Sequence, residues 1–161
     1  MKPFTFEARD EADTAALGAC LAAALPRRAV VALNGPLGAG KTRLAQAVAN
    51  GLGVDPRDVV SPTFVLLQEH QGRTAVFHFD AYRIRDEHEF WDLGPQEYFS
   101  TPGVSLVEWA ERVPGCLPVE RLEITIEVIG PTSRRFVIAA KGGEFEEVLV
   151  RLAAWAEDRV G

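Results

Sequence analysis

The sequence predicts an α/β fold: a mostly parallel central sheet with antiparallel additions and flanking helices, in a single domain over residues 1–161. Three observations predict it. Strand-like and helix-like stretches alternate along the chain. Residues 29–33 form a continuous apolar run, as in a central parallel strand buried on both faces. A glycine-rich turn follows that run directly and opens an amphipathic helix.

Taken in order, residues 4–7 read as a short first strand. Asp10 offers a side-chain oxygen to the free amides of a helix start. Thr14, Leu17, Cys20, Leu21, Ala24 and Leu25 then recur at helical spacing on one face, until Pro26 ends the helix. The strand at 29–33 and the glycine turn lead into a helix carrying Leu44, Ala45, Val48 and Leu52, closed at residues 51–53. Residues 65–69 and 73–80 flank Gln71-Gly72 as the arms of a hairpin. A short helix is predicted at 87–93, a buried strand at 104–107, and a second strand pair at 122–128 and 135–139. In the tail, Phe145, Val148, Leu149, Leu152 and Ala156 share one helical stripe, which is core packing.

Composition narrows the function classes. Of 161 residues, 47% are hydrophobic and 25% charged, the balance of a globular chain with a substantial core. The formal net charge is −6, and the basic pairs Arg83/Arg85 and Arg134/Arg135 are small and scattered. Unaided binding of nucleic acid needs a basic face to neutralise phosphates, so that class is disfavoured unless a partner brings the nucleic acid. No apolar run approaches the roughly 18 residues of a membrane helix. Glu7, Asp10 and Glu11 precede any hydrophobic block, unlike a signal peptide, and the expected location is the cytoplasm. Cys20 and Cys116 lack metal-ligand spacing and read as free thiols in apolar company.

The chemistry concentrates in Gly35-Pro36-Leu37-Gly38-Ala39-Gly40-Lys41-Thr42, an ungapped match to GxxxxGK followed by Ser or Thr. Gly38 and Gly40 permit backbone conformations that turn successive N–H groups toward an anion. The helix behind them adds its own free amides and its positive dipole end. Lys41 supplies a point charge for β- and γ-phosphate oxygens, and the Thr42 hydroxyl is placed to bind Mg²⁺. Strand before and helix after complete the context of a P-loop NTPase fold. The chain carries neither an NKxD nor a TKxD base-reading segment, which favours ATP over GTP.

P-loop enzymes place a carboxylate at a neighbouring strand end, beside the metal or its water. Two segments qualify: 104–108, ending in Glu108, and 75–80, ending in Asp80. In the second, Phe77, Phe79 and Ala81 alternate with His78, Asp80 and Tyr82, so one face packs on the core while His78 and Asp80 line a cleft. His78 reads either as a hydrogen-bonded structural histidine or as a proton carrier. Pro62 holds Ser61 extended, and Thr63 in that loop reads either as a sensor of the γ-phosphate or as an ordinary turn residue.

These four segments, Leu37 to Thr42, Ser61-Pro62-Thr63, His78 to Arg83, and Leu106-Val107-Glu108-Trp109, in this order and spacing resemble the TsaE (YjeE) family. The resemblance runs over nearly the whole chain. It implies a Mg²⁺-dependent ATPase component of tRNA threonylcarbamoyladenosine synthesis that works with TsaB and TsaD and meets tRNA only through them. It implies that Thr42 and Glu108 hold Mg²⁺, with Lys41 and Asp80 as the catalytic groups and Asp80 orienting water. Glu11, Gly38, Ala39, Gly40, Lys41, Thr42, Arg43, Thr63 and Trp109 are the implied nucleotide contacts, with residues 61–63 as a switch-like loop. A basic residue at Arg134 or Arg135 also belongs to the pattern. Phe64 stands where a tyrosine is often found.

Two other readings remain at this stage. A small-molecule P-loop kinase would need an arginine-bearing lid, and residues 86–93 are too acidic to form it. A nucleotide-gated binding protein would use ATP to set conformation, with hydrolysis incidental. No arginine finger is evident, so slow turnover that a partner quickens is the natural expectation.

Overall fold

In the computed structural model, which describes residues 1–60 and 66–160, the chain forms a mixed α/β fold around one seven-stranded sheet. The strands are β1 (Phe4–Ala8), β2 (Arg28–Asn34), β3 (Leu67–Gln71), β4 (Ala75–Asp80), β5 (Gly103–Glu108), β6 (Arg121–Val128) and β7 (Arg134–Lys141). Their order across the sheet is β1-β7-β6-β2-β5-β4-β3. The central β6-β2-β5-β4 block is parallel, and β7, β1 and β3 add antiparallel margins. The predicted architecture is borne out. The helices are α1 (Glu11–Ala24), α2 (Lys41–Gly51), α3 (Glu87–Trp91), α4 (Pro95–Ser100) and α5 (Glu146–Val160).

β2 explains the two cores. Val31 and Leu33 face α1, α2 and α5, joining Leu17, Leu21, Leu44 and Val48. Val30 and Ala32 face the opposite layer with Phe77, Phe79, Phe90 and Phe99. Phe79 makes tilted ring contacts with Phe90 and Phe99, at 5.6 and 5.5 Å. A strand apolar on both faces is thus satisfied by helices on both sides.

Local chemistry sets the ends. Asp10 Oδ1 accepts the Asp13 amide at 3.0 Å and starts α1. Asp13, itself buried, accepts from the Arg9 amide at 2.9 Å and from Arg159 at 2.8 Å, so β1, α1 and α5 are pinned together at one point. The Arg9 amide, above all, holds the Asp13 carboxyl below its usual range against the opposing effect of burial.

Two details differ from the sequence reading. The hairpin turn lies at residues 72–74, with Gln71 still paired to Ala75, because the tip caps α2: the Arg73 amide donates to Leu52 O at 2.8 Å and its guanidinium to Gly51 O at 2.6 Å. The helical stretch at 87–93 is the shorter α3, followed by α4, which the sequence reading missed. Pro95 at its first position, behind Gly94, is the local signal for it.

α1 and α2 approach each other at Gly18, where a β-carbon would meet the Ala47 side chain and lie 2.9 Å from the Ala47 carbonyl carbon. Alanine in place of glycine gains about 1 kcal/mol of helix propensity, whereas overpacking costs about 1–3 kcal/mol. The clash is against backbone, so the cost wins. Gly18→Ala therefore lowers stability in chemical denaturation, although the same substitution at an exposed helical site would raise it.

Candidate functional site

The site forms where three parallel strands end at one level. In the register, Leu33 of β2 stands beside Glu108 of β5, and Glu108 beside Asp80 of β4. Beyond Asn34 the chain turns through the glycine loop, with Gly38 at φ 79° and Gly40 at φ 107°, conformations costly to a side chain. No side chain caps α2, so its first amides are left to whatever lies in front of them. That is the anatomy of an anion site.

Lys41 is buried. Its Nζ donates to Gly35 O at 2.6 Å and Pro36 O at 2.9 Å, and sits 3.7 Å from the centre of the Trp109 ring. Burial pulls its pKa down, opposed by the charges of Glu111, Glu108 and Asp80. Trp109 holds φ at 60°, the only non-glycine positive φ among the described residues. Strain of this kind costs of order 1–3 kcal/mol and collects at functional sites. The twist lets the indole lie between Lys41 and Tyr82, whose ring centre is 4.8 Å away.

The Thr42 hydroxyl lies 2.7 Å from Glu108 Oε1 and 3.0 Å from Oε2. On the other side, His78 Nε2 lies 2.5 Å from Glu108 Oε2, and both side chains are buried. This hydrogen-bonded placement is compatible with both readings of His78. Among the described residues no three His, Cys, Asp or Glu side chains cluster as a metal cage. A hydroxyl and a carboxylate converging on one point are nevertheless hard oxygen donors, and Mg²⁺ commonly takes only one or two protein ligands, completing its shell with phosphates and water. The residues fit that ion.

Asp80 is buried beside this pair. Its Oδ1 accepts the Tyr82 amide at 2.9 Å. Burial raises its pKa above the usual carboxylate range, with Glu108 adding to the rise and the Tyr82 amide, His78 and Lys41 opposing it.

A cleft of about 870 Å³ opens in front of the loop. Gly38, Ala39, Gly40, Lys41, Thr42, Arg43, Glu11, Glu108 and Trp109, all singled out in the sequence, line it. Glu11 and Arg43 pair across it at 3.0 Å. Asp80 is not a wall of this cleft and sits one strand further along. Thr63 and the loop 61–63 lie outside the described residues. Of the two arginines left open, Arg134 lines the cleft and donates to Ala39 O at 2.9 Å, while Arg135 pairs with Glu7 and Glu127. Sequence reasoning missed Glu111, whose carboxylate accepts the Gly35 amide at 3.0 Å. Its only signal was its place three residues beyond Glu108.

Comparison with known proteins places relatives around these residues. The family model "Threonylcarbamoyl adenosine biosynthesis protein TsaE" matches residues 8–136. The chain is 39% identical over 154 residues to the tRNA threonylcarbamoyladenosine biosynthesis protein TsaE of Bacillus subtilis, covering 95% of this chain and 96% of that one. It is 37% identical to the protein of the same name from Treponema pallidum, over 81% and 96%. Among solved structures, YdiB of Bacillus subtilis superposes with a TM-score of 0.80 at 31% identity, covering 96% and 97% of the two chains.

Asp80 gives a test with a definite sign. Its folded pKa lies above the ordinary 3.8, so the ionised form weakens the fold above the folded pKa and costs nothing below the ordinary value. Asp80→Asn removes that cost. Its melting midpoint rises relative to the parent at pH 7, and the difference shrinks as the pH falls through the carboxylate range. A melting series in which the asparagine variant is the less stable at pH 7 would show the environment to be wrongly read.

Proposed function

The chain belongs to the TsaE family of threonylcarbamoyladenosine biosynthesis proteins, and from that premise we propose that it binds ATP with Mg²⁺ and hydrolyses it in support of that tRNA modification, acting with TsaB and TsaD. The observation that carries this reading is the convergence of an uncapped helix start, a buried lysine and the Thr42–Glu108 pair at one strand edge. The net charge of −6 favours contact with tRNA through the partners.

In the proposed mechanism, the amides of residues 38–41 and the start of α2 bind the β- and γ-phosphates. Lys41 exchanges its carbonyl partners for phosphate oxygens, steadied by the Trp109 face. Thr42 and Glu108 are the Mg²⁺ ligands, and the bound ion supplies neutralisation of the charge on the phosphate oxygens. Asp80 orients the attacking water through its carboxylate. Glu11, Arg43 and Trp109 border the remainder of the nucleotide. Catalysis then rests on positioning and charge compensation rather than on a covalent intermediate.

Three measurements test the reading. Lys41→Ala slows single-turnover ATP hydrolysis by about 10²–10³-fold, the scale of removing one preorganised charge; an unchanged rate rejects the assignment. Glu108→Ala shifts the Mg²⁺ dependence of hydrolysis more than Asp80→Ala does, and the reverse order would exchange their roles. Turnover rises when TsaB and TsaD are added, whereas phosphoryl transfer to a metabolite instead of water would identify a kinase.

A further inference from the structure

We propose that His78 is a positioning residue for Glu108: it aims that carboxylate at the cation, and without it the protein loses metal affinity while keeping its nucleotide affinity. The inference rests on the function proposed above and deepens it. Glu108 is held from two directions, by the Thr42 hydroxyl from α2 and by the His78 ring from β4. A carboxylate oxygen without a proton only accepts hydrogen bonds, so the 2.5 Å contact holds Oε2 in place through the tautomer that carries its proton on Nε2. Without that donor, Oε2 would keep only the 3.0 Å contact to Thr42, whose hydroxyl is already closer to Oε1.

The register makes this contact specific. His78 stands beside Leu106 and Asp80 beside Glu108, so the ring must reach along the strand direction to the neighbouring strand's end. The other ring nitrogen, Nδ1, is buried without a hydrogen-bond partner. Such an orphan is costly, and an aromatic hydrocarbon would avoid the cost. A residue selected only to fill this space would therefore not be a histidine. Hydrogen-bond donors behind a ligating carboxylate fix its direction, and their loss typically lowers metal affinity by about 10–100-fold.

The probe is Mn²⁺, followed by water-proton relaxation, on the full chain with ADP. ADP affinity in EDTA is measured alongside. In His78→Phe, Mn²⁺ uptake by the ADP complex weakens by about 10–100-fold, with ADP affinity in EDTA held within about 3-fold of the parent. His78→Gln, whose amide nitrogen approximates the Nε2 position, restores most of the metal affinity. In a Glu108→Gln background, His78→Phe has no further effect on Mn²⁺. Parental Mn²⁺ affinity in His78→Phe overturns the proposal, as do equal losses in the Gln and Phe variants or additive losses with Glu108→Gln. In each of those cases the proposed ATPase stands if the parent still takes up Mn²⁺ with ADP. A parent that takes up neither overturns that function and the role of His78 with it.

Discussion

A slip of one residue between β2 and β5 would turn Glu108 to the opposite face of the sheet, and the site would not exist. The pairing of Leu33 with Glu108 is therefore the constraint on which the rest depends. It is enforced by burial on both sides. Val31 and Leu33 belong to one core while Val30 and Ala32 belong to the other, and Leu106 and Val107 of β5 divide in the same way. The residues that fix the register are apolar and carry no chemistry. They nonetheless decide which way the one carboxylate points.

Once that register is set, the site solves an electrostatic problem. Lys41 at the start of α2, and Asp80 and Glu108 at the ends of β4 and β5, are all buried. Each is compensated locally. The lysine rests on two loop carbonyls and an indole face, Glu108 on a hydroxyl and an imidazole, and Asp80 on a backbone amide. Buried charges left without such partners would shift to their neutral forms or unfold the region. Under the function proposed above, phosphate oxygens would take the place of the two carbonyls beside Lys41 while the helix that carries it stays where it is.

Most of the fold was legible because its signals are local: the apolar run of β2, the cap at Asp10, the stripe of α5. The loop residues and the two strand-end carboxylates were legible for the same reason, since glycine spacing and a terminal acid are written in consecutive positions. Apart from α4, whose Gly94-Pro95 start is local, what escaped depends on pairing between segments. Whether Arg134 or Arg135 faces the loop is decided by the β6–β7 register, under which Arg135 lies beside Glu127 and alternation sends its neighbour the other way. The bond of Glu111 to Gly35 spans 76 positions of sequence and rests on the turn after Trp109. The hairpin turn shifted because its tip caps α2, an interaction no dipeptide signal contains.

Three departures from local rules fall in one place. A tryptophan in the left-handed region, a helix start without a side-chain cap and an aspartate buried against its own ionisation all sit at the carboxyl edge of the parallel strands. The amino-terminal portion of the chain obeys the rules, with Asp10 capping α1 and Asp13 pairing with two arginines. A sequence shaped for stability alone would have distributed such costs or removed them. The tryptophan and the helix start border the cleft and the aspartate lies one strand further along, where the function proposed above would use all three. The strain at Trp109 is the sharpest instance, because a glycine there would relieve the backbone and remove the ring that covers Lys41.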